Sequence, residues 1–368
     1  MEFDLIEAIR ARVNIRRGDV ALGIGDDATL LDVPADRQLV ACTDTLVAGV
    51  HFLVDTSAVD IGWKALAVNL SDLAAMGAEP AWALLALTMP EADDGFVDHF
   101  AEGFAELAGR HGVALVGGDT TQGPLSMTVT MLGTVPRGQA LTRGGARAGD
   151  TIFVTGTLGD AAGALRLLRD PGESHPPRSP FLRKGEGKRY PLPPEGAERM
   201  RTRAKRDRAA AGGCAAGRER RVQRDATVEL VARMHRPEPR IAAGLALRDV
   251  ASACIDVSDG LLADLGHVCA SSRTGADIDV DALPVSPALA EMFGHDVCRT
   301  LALTGGDDYE LCFSVPEDHA VEVGTRLAGA GCVATRIGRM TEGGGVRVAD
   351  ARGNVVETPH AGWEHFSR

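Results

Sequence analysis

The chain has 368 residues, of which 45% are hydrophobic, so it can bury a large core and its length predicts two domains. Its formal net charge of −12 argues against nucleic acid or an anionic membrane as the main partner. Seven cysteines without a C-x-x-C pair, most of them in apolar runs, indicate reduced thiols in a cytoplasmic protein. The N-terminus lacks the pattern of a signal peptide, and no apolar run reaches the ~20 residues of a membrane helix.

The first half of the chain predicts strands separated by helices. A short helix is predicted over 4–12, and apolar residues at i, i+4 and i+7 predict two longer helices, Ile61–Met76 and Gly95–His111. The predicted strands are Val20–Ile24, Leu39–Thr43, Ala83–Met89, Ala114–Val116 and Met127–Val135. This alternation favours a mixed α/β or α+β fold.

A turn-rich stretch at 143–150 separates a second half with its own strands and helices. We therefore predict an N-terminal domain over 1–140 and a C-terminal α/β domain over 141–368. The second half is predicted to contain strands at 151–155, 252–257, 276–280 and 309–315 and helices at 159–169, 226–234, 260–271 and 317–330.

Residues 171–225 interrupt this pattern. The segment contains 15 Lys/Arg against 7 Asp/Glu, is rich in Pro, Arg and Gly, and has few large apolar residues. Such a composition buries too little apolar surface to offset the entropy of ordering, so we predict a disordered or loosely held insertion. Binding of nucleic acid by this basic segment is disfavoured because no aromatic residues are interleaved with the charges.

Seven aspartates lie in five short clusters, each just after a predicted strand or on a predicted helix. The clusters are Gly23-Ile24-Gly25-Asp26-Asp27, Thr43-Asp44-Thr45, Asn69-Leu70-Ser71-Asp72, Gly117-Gly118-Asp119-Thr120-Thr121 and Asp256-Val257-Ser258-Asp259-Gly260. Loops at strand ends often carry ligands in α/β folds, so the recurrence suggests one shared site. So many carboxylates need counter-charge, and hard oxygen ligands favour Mg²⁺, which usually accompanies phosphates.

Simpler interpretations exist for each motif alone. The stretch from Gly23 to Ala28 matches G-x-G-x-x-A, but Asp26 and Asp27 would stand where a dinucleotide needs bare N–H groups. Asn69 and Asp72 could form a solvated helix face, and Ser258 could be an ordinary N-cap. The P-loop, protein-kinase, nucleophile-elbow and zinc signatures are all absent, which leaves carboxylates acting through Mg²⁺.

Taken in order, the clusters resemble the thiamine-monophosphate kinase family, whose members make thiamine diphosphate from ATP and thiamine monophosphate in the last step of its biosynthesis. The resemblance covers 1–170 and 227–366. The stretches that carry it include GIGDDATLL, TDTLVAGVHF, KALAVNLSDLAAMGAEPAWALLALTMP, LVGGDTTQGPLSMTVTMLG, RPEPRI, IDVSDGLLADLGH and LTGGDDYELCF. It implies the two-domain fold of aminoimidazole ribonucleotide synthetase, with ATP held between the domains and the N-terminal sheet pairing across a homodimer.

The resemblance also implies roles for individual residues. The implied ligands of several Mg²⁺ ions are Asp27, Thr43, Asp44, Asp72, Asp119, Asp256 and Asp259. Gly118, Asp119, Arg143 and Ser258 are the implied ATP contacts, and His51, Asp307 and Trp363 are the implied contacts to thiamine monophosphate. Asp44, Asp72 and Arg143 are the residues expected to act directly in phosphoryl transfer.

The sequence departs from the family pattern at three places. Cys42 stands where a Ser or Thr is common, and Asp307 stands where Glu is common, which shortens the side chain by one methylene. At the C-terminal aromatic position Trp363 is our choice, although His360 could align instead.

Three other classes of function are disfavoured, the first being another ATP-using member of the same superfamily. Selenophosphate synthetase requires a reactive Cys or selenocysteine and a Lys near the N-terminus, and the hydrogenase-maturation protein ends in a cysteine-bearing tail, neither of which this sequence has. A nucleotide-binding regulator without turnover does not need so many acids, and Asp26 and Asp27 disfavour a NAD-dependent oxidoreductase.

Overall fold

The computed structural model describes residues 2–169, 214–357 and 362. Its first part contains α1 (Glu2–Arg12), β1 (Val20–Leu22), β2 (Leu30–Leu31), β3 (Arg37–Val47), α2 (Ala58–Ala75), β4 (Glu79–Met89), α3 (Asp94–His111), β5 (Ala114–Gln122) and β6 (Ser126–Pro136). Its second part contains β7 (Thr151–Thr155), α4 (Asp160–Leu168), α5 (Cys214–His235), α6 (Ile241–Leu247), β8 (Ala253–Asp256), α7 (Leu261–Ser272), β9 (Gly275–Asp279), α8 (Pro287–Met292), α9 (His295–Thr304), β10 (Leu311–Val315), α10 (Ala320–Gly329), β11 (Ala334–Thr341) and β12 (Gly345–Ala349).

The N-terminal sheet has the strand order β3-β6-β4-β5, with only β4 and β5 parallel. The helices α2 and α3 pack together against one face of this sheet. They approach closely because both carry glycine at the crossing: a Cβ on Gly62 would lie 2.0 Å from the Phe100 carbonyl oxygen, and one on Gly103 would lie 1.8 Å from the Val59 oxygen. The predicted apolar stripe of α2 (Leu66, Leu70 and Leu73) is fully buried.

The C-terminal sheet has the order β12-β9-β11-β7-β10-β8, antiparallel except for the β12–β9 pair. The helix α2 also packs against α6 and β8 of this second domain. A Cβ on Gly244 of α6 would lie 2.0 Å from the Ala74 oxygen of α2, so the two helices are nearly in backbone contact. Polar residues on α2 therefore lie at the junction of the two domains.

The predicted mixed α/β fold of two domains is confirmed. The prediction for the insertion is wrong at its C-terminal end, because α5 begins at Cys214 and residues 214–225 are helical. Arg and Ala have high helix propensity, and Leu230 and Met234 anchor the helix in a core with α4 and α8. Residues 171–213 lie outside the described residues, and the domain boundary near residue 140 stays a prediction.

Two predicted strand ends were also wrong. β3 continues to Val47 and β5 continues to Gln122, so Asp44 and Asp119 lie within strands rather than in the loops that follow them. The β3 ladder continues along β6, where Thr45 Oγ1 bonds to Thr128 Oγ1 at 2.8 Å, and β5 continues along β4. No helix in the described part of the chain combines the length and the apolar character needed to cross a membrane.

Candidate active site

Three aspartates predicted as metal ligands come together where the domains meet. Asp44 lies in β3, Asp72 lies on α2, and Asp256 is the last residue of β8. The carboxyl groups of Asp44 and Asp72 are close enough to affect each other's pKa. Ser71 Oγ, on α2, donates a hydrogen bond to Asp256 Oδ2 over 2.7 Å and so connects the two domains here. We call Asp44, Asp72 and Asp256 the carboxylate cluster.

Burial and mutual repulsion make the carboxylate cluster hold protons more tightly than ordinary aspartates. Burial, together with the charges of Asp256 and Asp44, raises the pKa of Asp72 to about 8. Burial and the charge of Asp44 raise the pKa of Asp256 to about 6, despite the hydrogen bond from Ser71. Burial likewise raises the pKa of Asp44. The cluster therefore attracts positive charge at neutral pH.

The charge of the Arg143 guanidinium acts to lower the pKa of both Asp72 and Asp256 without offsetting their burial. Among residues 2–169 and 214–357, no three acidic, histidine or cysteine side chains surround one point closely enough to hold an ion unaided. Mg²⁺ in phosphate-handling sites takes one or two carboxylates and completes its shell with phosphate oxygens and water. The carboxylate cluster supplies only oxygen ligands. It therefore fits an Mg²⁺ ion whose remaining ligands are phosphate oxygens and water.

Three of the other predicted metal ligands have exposed side chains. Asp27 is exposed in the loop after β1, where its N–H donates to Asp26 Oδ1 over 2.8 Å. Thr43 Oγ1 bonds to Thr130 on the uncovered face of the sheet, and Asp119 is exposed on β5. Within the described residues, no hydrogen bond joins any of these three side chains to the cluster, so their metal-binding roles stay predictions.

Gly118 shows why a glycine precedes Asp119. Its φ is +154°, and a Cβ there would lie 1.8 Å from the Leu85 carbonyl oxygen of the neighbouring strand. No other residue fits without displacing β4, so the Gly118 backbone stays accessible beside Asp119. This geometry is compatible with the predicted nucleotide contact but does not by itself identify a ligand.

The loop after β8 is held by an acid that the sequence reasoning missed. Asp264 Oδ2, on α7, accepts hydrogen bonds from the backbone N–H groups of Ser258, Asp259 and Gly260 at 3.0, 3.1 and 3.1 Å. Burial, with the charges of Asp256 and Asp259, raises the pKa of Asp264 to about 7. Asp264 lies in the first turn of α7, and an acid at that place is a helix-start signal that could have been recognised.

The loop that carries Asp307 is strained and packs on the loop after β8. Asp307 and Tyr309 have φ values of +68° and +52°, which are uncommon for residues other than glycine. Their backbone N–H groups donate to the carbonyl oxygens of Ser258 and Val257, both at 2.8 Å. The strain is therefore located where a predicted substrate contact adjoins a predicted ATP contact.

The predicted substrate contacts His51 and Asp307 are connected through Lys64, which the sequence reasoning did not single out. Lys64 Nζ lies 2.9 Å from Asp307 Oδ2 and 3.1 Å from the His51 carbonyl oxygen. The His51 ring is oriented by its own chain, since Nδ1 accepts from the Val47 N–H over 3.0 Å. Trp363 and the alternative His360 lie outside the described residues.

A cavity of about 210 Å³ opens beside Asp307. Its lining consists of charged side chains and short loops: Thr157, Asp160, Ala161, Arg233, Arg236, Pro237, Glu238, Arg240, Asp307, Asp308 and Glu310. The arginines are paired with acids, most closely Arg240 with Glu310, whose side chain is almost fully buried.

Cys42 occupies the family's Ser/Thr position beside the carboxylate cluster. Its Sγ lies 3.4 Å from the Asn69 carbonyl oxygen, and burial together with the charges of Asp72 and Asp44 raises the pKa of the thiol. The thiol therefore stays protonated and contributes no charge to the site. The five other cysteines with described side chains are buried and not disulfide-bonded.

Comparisons with known proteins agree with this geometry. Residues 25–135 match the family described as AIR synthase related protein, N-terminal domain, and residues 207–351 match its C-terminal domain. The thiamine-monophosphate kinase of Escherichia coli is 42% identical over 368 residues, which is 100% of this chain and 98% of that protein. The Salmonella typhimurium enzyme of the same name is 43% identical over 340 residues, with 92% and 90% covered.

Solved structures are similar over nearly the whole chain. Thiamine-monophosphate kinase from Stenotrophomonas maltophilia superposes with a TM-score of 0.77 at 47% identity and covers 96% of this chain and 98% of its own. The structure described as AaThiL complexed with AMPPCP and TMP gives 0.68 at 29% identity, with 99% and 97% covered. Escherichia coli HypE, at 22% identity and a TM-score of 0.68, shares the fold.

Proposed function

Because the chain belongs to the thiamine-monophosphate kinase family of the AIR synthase-related proteins, we propose that it transfers the γ-phosphoryl group of ATP to thiamine monophosphate. The product is thiamine diphosphate. The observation that supports this most strongly is the carboxylate cluster, in which buried acids from both domains converge beside Arg143. A site built to hold Mg²⁺ against phosphates suits a reaction between two polyanions.

The nucleophile needs no general base. It is an oxygen of a phosphate monoester, whose second pKa is ~6, so it is already largely ionised at neutral pH. The residues must instead hold two polyanions in line and neutralise charge that builds up on the transferred group. Arg143 supplies part of that neutralisation, and Asp44 and Asp72 are positioned to orient the phosphates through the metal.

Mg²⁺ would be held by Asp44, Asp72 and Asp256, and when bound it supplies electrostatic stabilisation of the phosphoryl oxygens. Further ions would use Asp27, Thr43, Asp119 and Asp259. Asp44 and Asp256 come from different domains, so the metal sites are complete only when the domains are docked, as Ser71 and Asp256 dock them.

The two substrates would occupy opposite ends of this site. Gly118, Asp119, Arg143 and Ser258 contact ATP in this proposal, and His51, Asp307 and Trp363 contact thiamine monophosphate. The direct bonds between the Asp307 loop and Val257–Ser258 support this arrangement, because they hold the ends of the two binding regions together.

The protein is proposed to act in the cytoplasm as a homodimer formed through its N-terminal sheet. One face of the sheet lies under α2 and α3, whereas the other face carries Leu39 on the edge strand β3, which is 50% exposed. Leu30, on β2 of the separate β1–β2 sheet, is 59% exposed. An exposed apolar sheet face of this kind is typical of an interface.

The assay is formation of thiamine diphosphate from ATP and thiamine monophosphate, separated by chromatography, with Mg²⁺ present or chelated. Free thiamine is the matched control, because it offers a hydroxyl group instead of an ionised phosphate oxygen. We expect product only with thiamine monophosphate and Mg²⁺. Equal turnover of thiamine, or no thiamine diphosphate from either substrate, would contradict the proposal.

A further inference from the structure

Lys64 is a buried cation in the middle of an apolar helix. It lies on α2 with 3% of its surface exposed, and its neighbours along the helix, Trp63 and Ala65, are equally buried. Burying an ammonium group is costly unless it is fully paired. Lys64 has two partners, both outside its own helix: the His51 carbonyl oxygen at 3.1 Å and Asp307 Oδ2 at 2.9 Å.

The Asp307 carboxylate is held at both oxygens. Lys64 bonds to Oδ2, and the Tyr309 phenol donates to Oδ1 over 2.9 Å. Burial and the charge of Asp307 raise the pKa of the phenol, so it remains a donor. Asp307 and Tyr309 both have positive φ, a conformation that persists only where surrounding contacts over-determine it. Lys64 bonds to this loop from the other domain.

We propose that Lys64 is a positioning residue for the substrate: it fixes the Asp307 carboxylate and the His51 loop relative to each other. The inference rests on the proposed function, which places Asp307 and His51 against thiamine monophosphate. With Asp at position 307 the carboxylate is one methylene shorter than Glu, and Lys64 and Tyr309 define where it points.

The position of Lys64 along α2 indicates which step it affects. Lys64 precedes Asp72 by eight residues, and at 1.5 Å per residue this is a separation of about 12 Å along the helix axis. Lys64 therefore acts on the organic part of the substrate rather than on the reacting phosphates. Losing an interaction that is equal in the ground and transition states raises KM and leaves kcat unchanged.

The test compares Lys64→Met with Arg248→Met. Arg248 is a matched control because, like Lys64, it bonds across the domain junction to one carbonyl oxygen and one carboxylate. Its partners are the Gly77 carbonyl oxygen and the Glu79 carboxylate of the first domain. Both variants should lower the thermal midpoint. Only Lys64→Met should raise the KM for thiamine monophosphate, by about 10- to 100-fold, while the KM for ATP and kcat stay within about twofold of wild type.

A double variant separates positioning from packing. If Lys64 acts through Asp307, Lys64→Met combined with Asp307→Asn should have the same KM for thiamine monophosphate as Asp307→Asn alone. Tyr309→Phe removes only the phenol oxygen and should also raise the KM for thiamine monophosphate. If Lys64→Met does not fold, this variant tests whether the position of the Asp307 carboxylate affects that KM.

Two failures are distinguishable. Wild-type protein that makes no thiamine diphosphate contradicts the proposed function, and with it this inference. An active wild type whose Lys64→Met and Tyr309→Phe variants keep the wild-type KM for thiamine monophosphate contradicts the inference alone. An equal rise in the KM for ATP would also overturn it, because the effect would then be general loss of structure.

Discussion

Ser71 Oγ donates a hydrogen bond to Asp256 Oδ2 over 2.7 Å, and this single contact joins the two domains within the carboxylate cluster. Both residues are buried, with Ser71 at 0% and Asp256 at 4% exposure. The bond helps a buried carboxylate to ionise, since it acts to lower the pKa of Asp256 against the larger effect of burial. Domain docking and the proposed metal binding would therefore depend on the same pair of atoms.

Removal of the Ser71 hydroxyl should destabilise the protein most at high pH. Ser71→Ala leaves the ionised Asp256 without its donor, and we expect the free energy of unfolding to fall by about 1.5–3 kcal/mol at pH 8. Below the Asp256 pKa of about 6 the carboxyl is neutral, so the loss should be smaller. Urea unfolding at pH 8 and at a pH below 6 measures this loss of free energy. Ser126→Ala, which removes an exposed hydrogen bond, is the control. Equal losses at the two pH values would contradict the account.

Mg²⁺ should stabilise the protein more at pH 8 than at pH 6. Burial raises the pKa of Asp72 to about 8 and that of Asp256 to about 6, above the ~3.9 of an aspartate in the unfolded chain. The folded state thus binds these protons more tightly, so their stabilising contribution is complete below pH ~4 and is lost as the pH rises through 6 and 8. Mg²⁺ competes with the same protons.

The measurement is the thermal midpoint with saturating Mg²⁺ and with chelator at each pH. A shift that is larger at pH 8, and that Asp72→Asn reduces, is the expected result. A midpoint that does not respond to Mg²⁺, or a larger shift at pH 6, would show that the cluster is not the metal site.

Asp264 should be essential for the loop after β8. Asp264→Ala leaves three backbone N–H groups without their acceptor, and we expect a loss of about 2–3 kcal/mol in the free energy of unfolding. The KM for ATP should rise as well, because Ser258 and Asp259 lose their fixed positions. Asp350→Ala is the control, since Asp350 also accepts two backbone N–H groups but on an exposed turn. An ATP KM that stays at the wild-type value would remove Asp264 from the site.

A charge on the uncovered sheet face should prevent dimer formation. Leu39→Asp places a carboxylate in the proposed interface, and burying it unpaired is costly. Sedimentation should show a dimer for wild type and a monomer for the variant at the same concentration. Val321→Asp, at a residue that is 84% exposed on α10 of the other domain, should remain dimeric. A monomeric wild type would contradict the proposed interface.

The apolar periodicity of α2 and α3 made the N-terminal helices predictable, and the stripe of Leu66, Leu70 and Leu73 lies in the core as expected. The strand ends were not predictable in the same way. An acidic residue such as Asp44 indicates the end of a strand when only local preference is considered, but it pairs with Val129 of β6 across a long sequence separation.

The part of the site built from acids that recur in motifs was predictable from the sequence. A residue that acts by holding another residue was not. Asp44, Asp72 and Asp256 stand out in the sequence, although only the fold shows that these three converge. Lys64 looks like a surface residue on a helix, and its role depends on Asp307, which is 243 positions away in the sequence. Asp264 is an intermediate case, because an acid in the first turn of a helix is a local signal.

The most direct test of the central claim is the rate of thiamine diphosphate formation by Asp72→Asn and Asp44→Asn at saturating Mg²⁺ and ATP. Asparagine keeps the shape and removes the repelling charge, so both variants should fold with unchanged or higher thermal midpoints. The account predicts that kcat falls by at least about 100-fold in each variant. The control Asp32→Asn, at an exposed residue, should keep the wild-type kcat. Wild-type turnover by either cluster variant would contradict it.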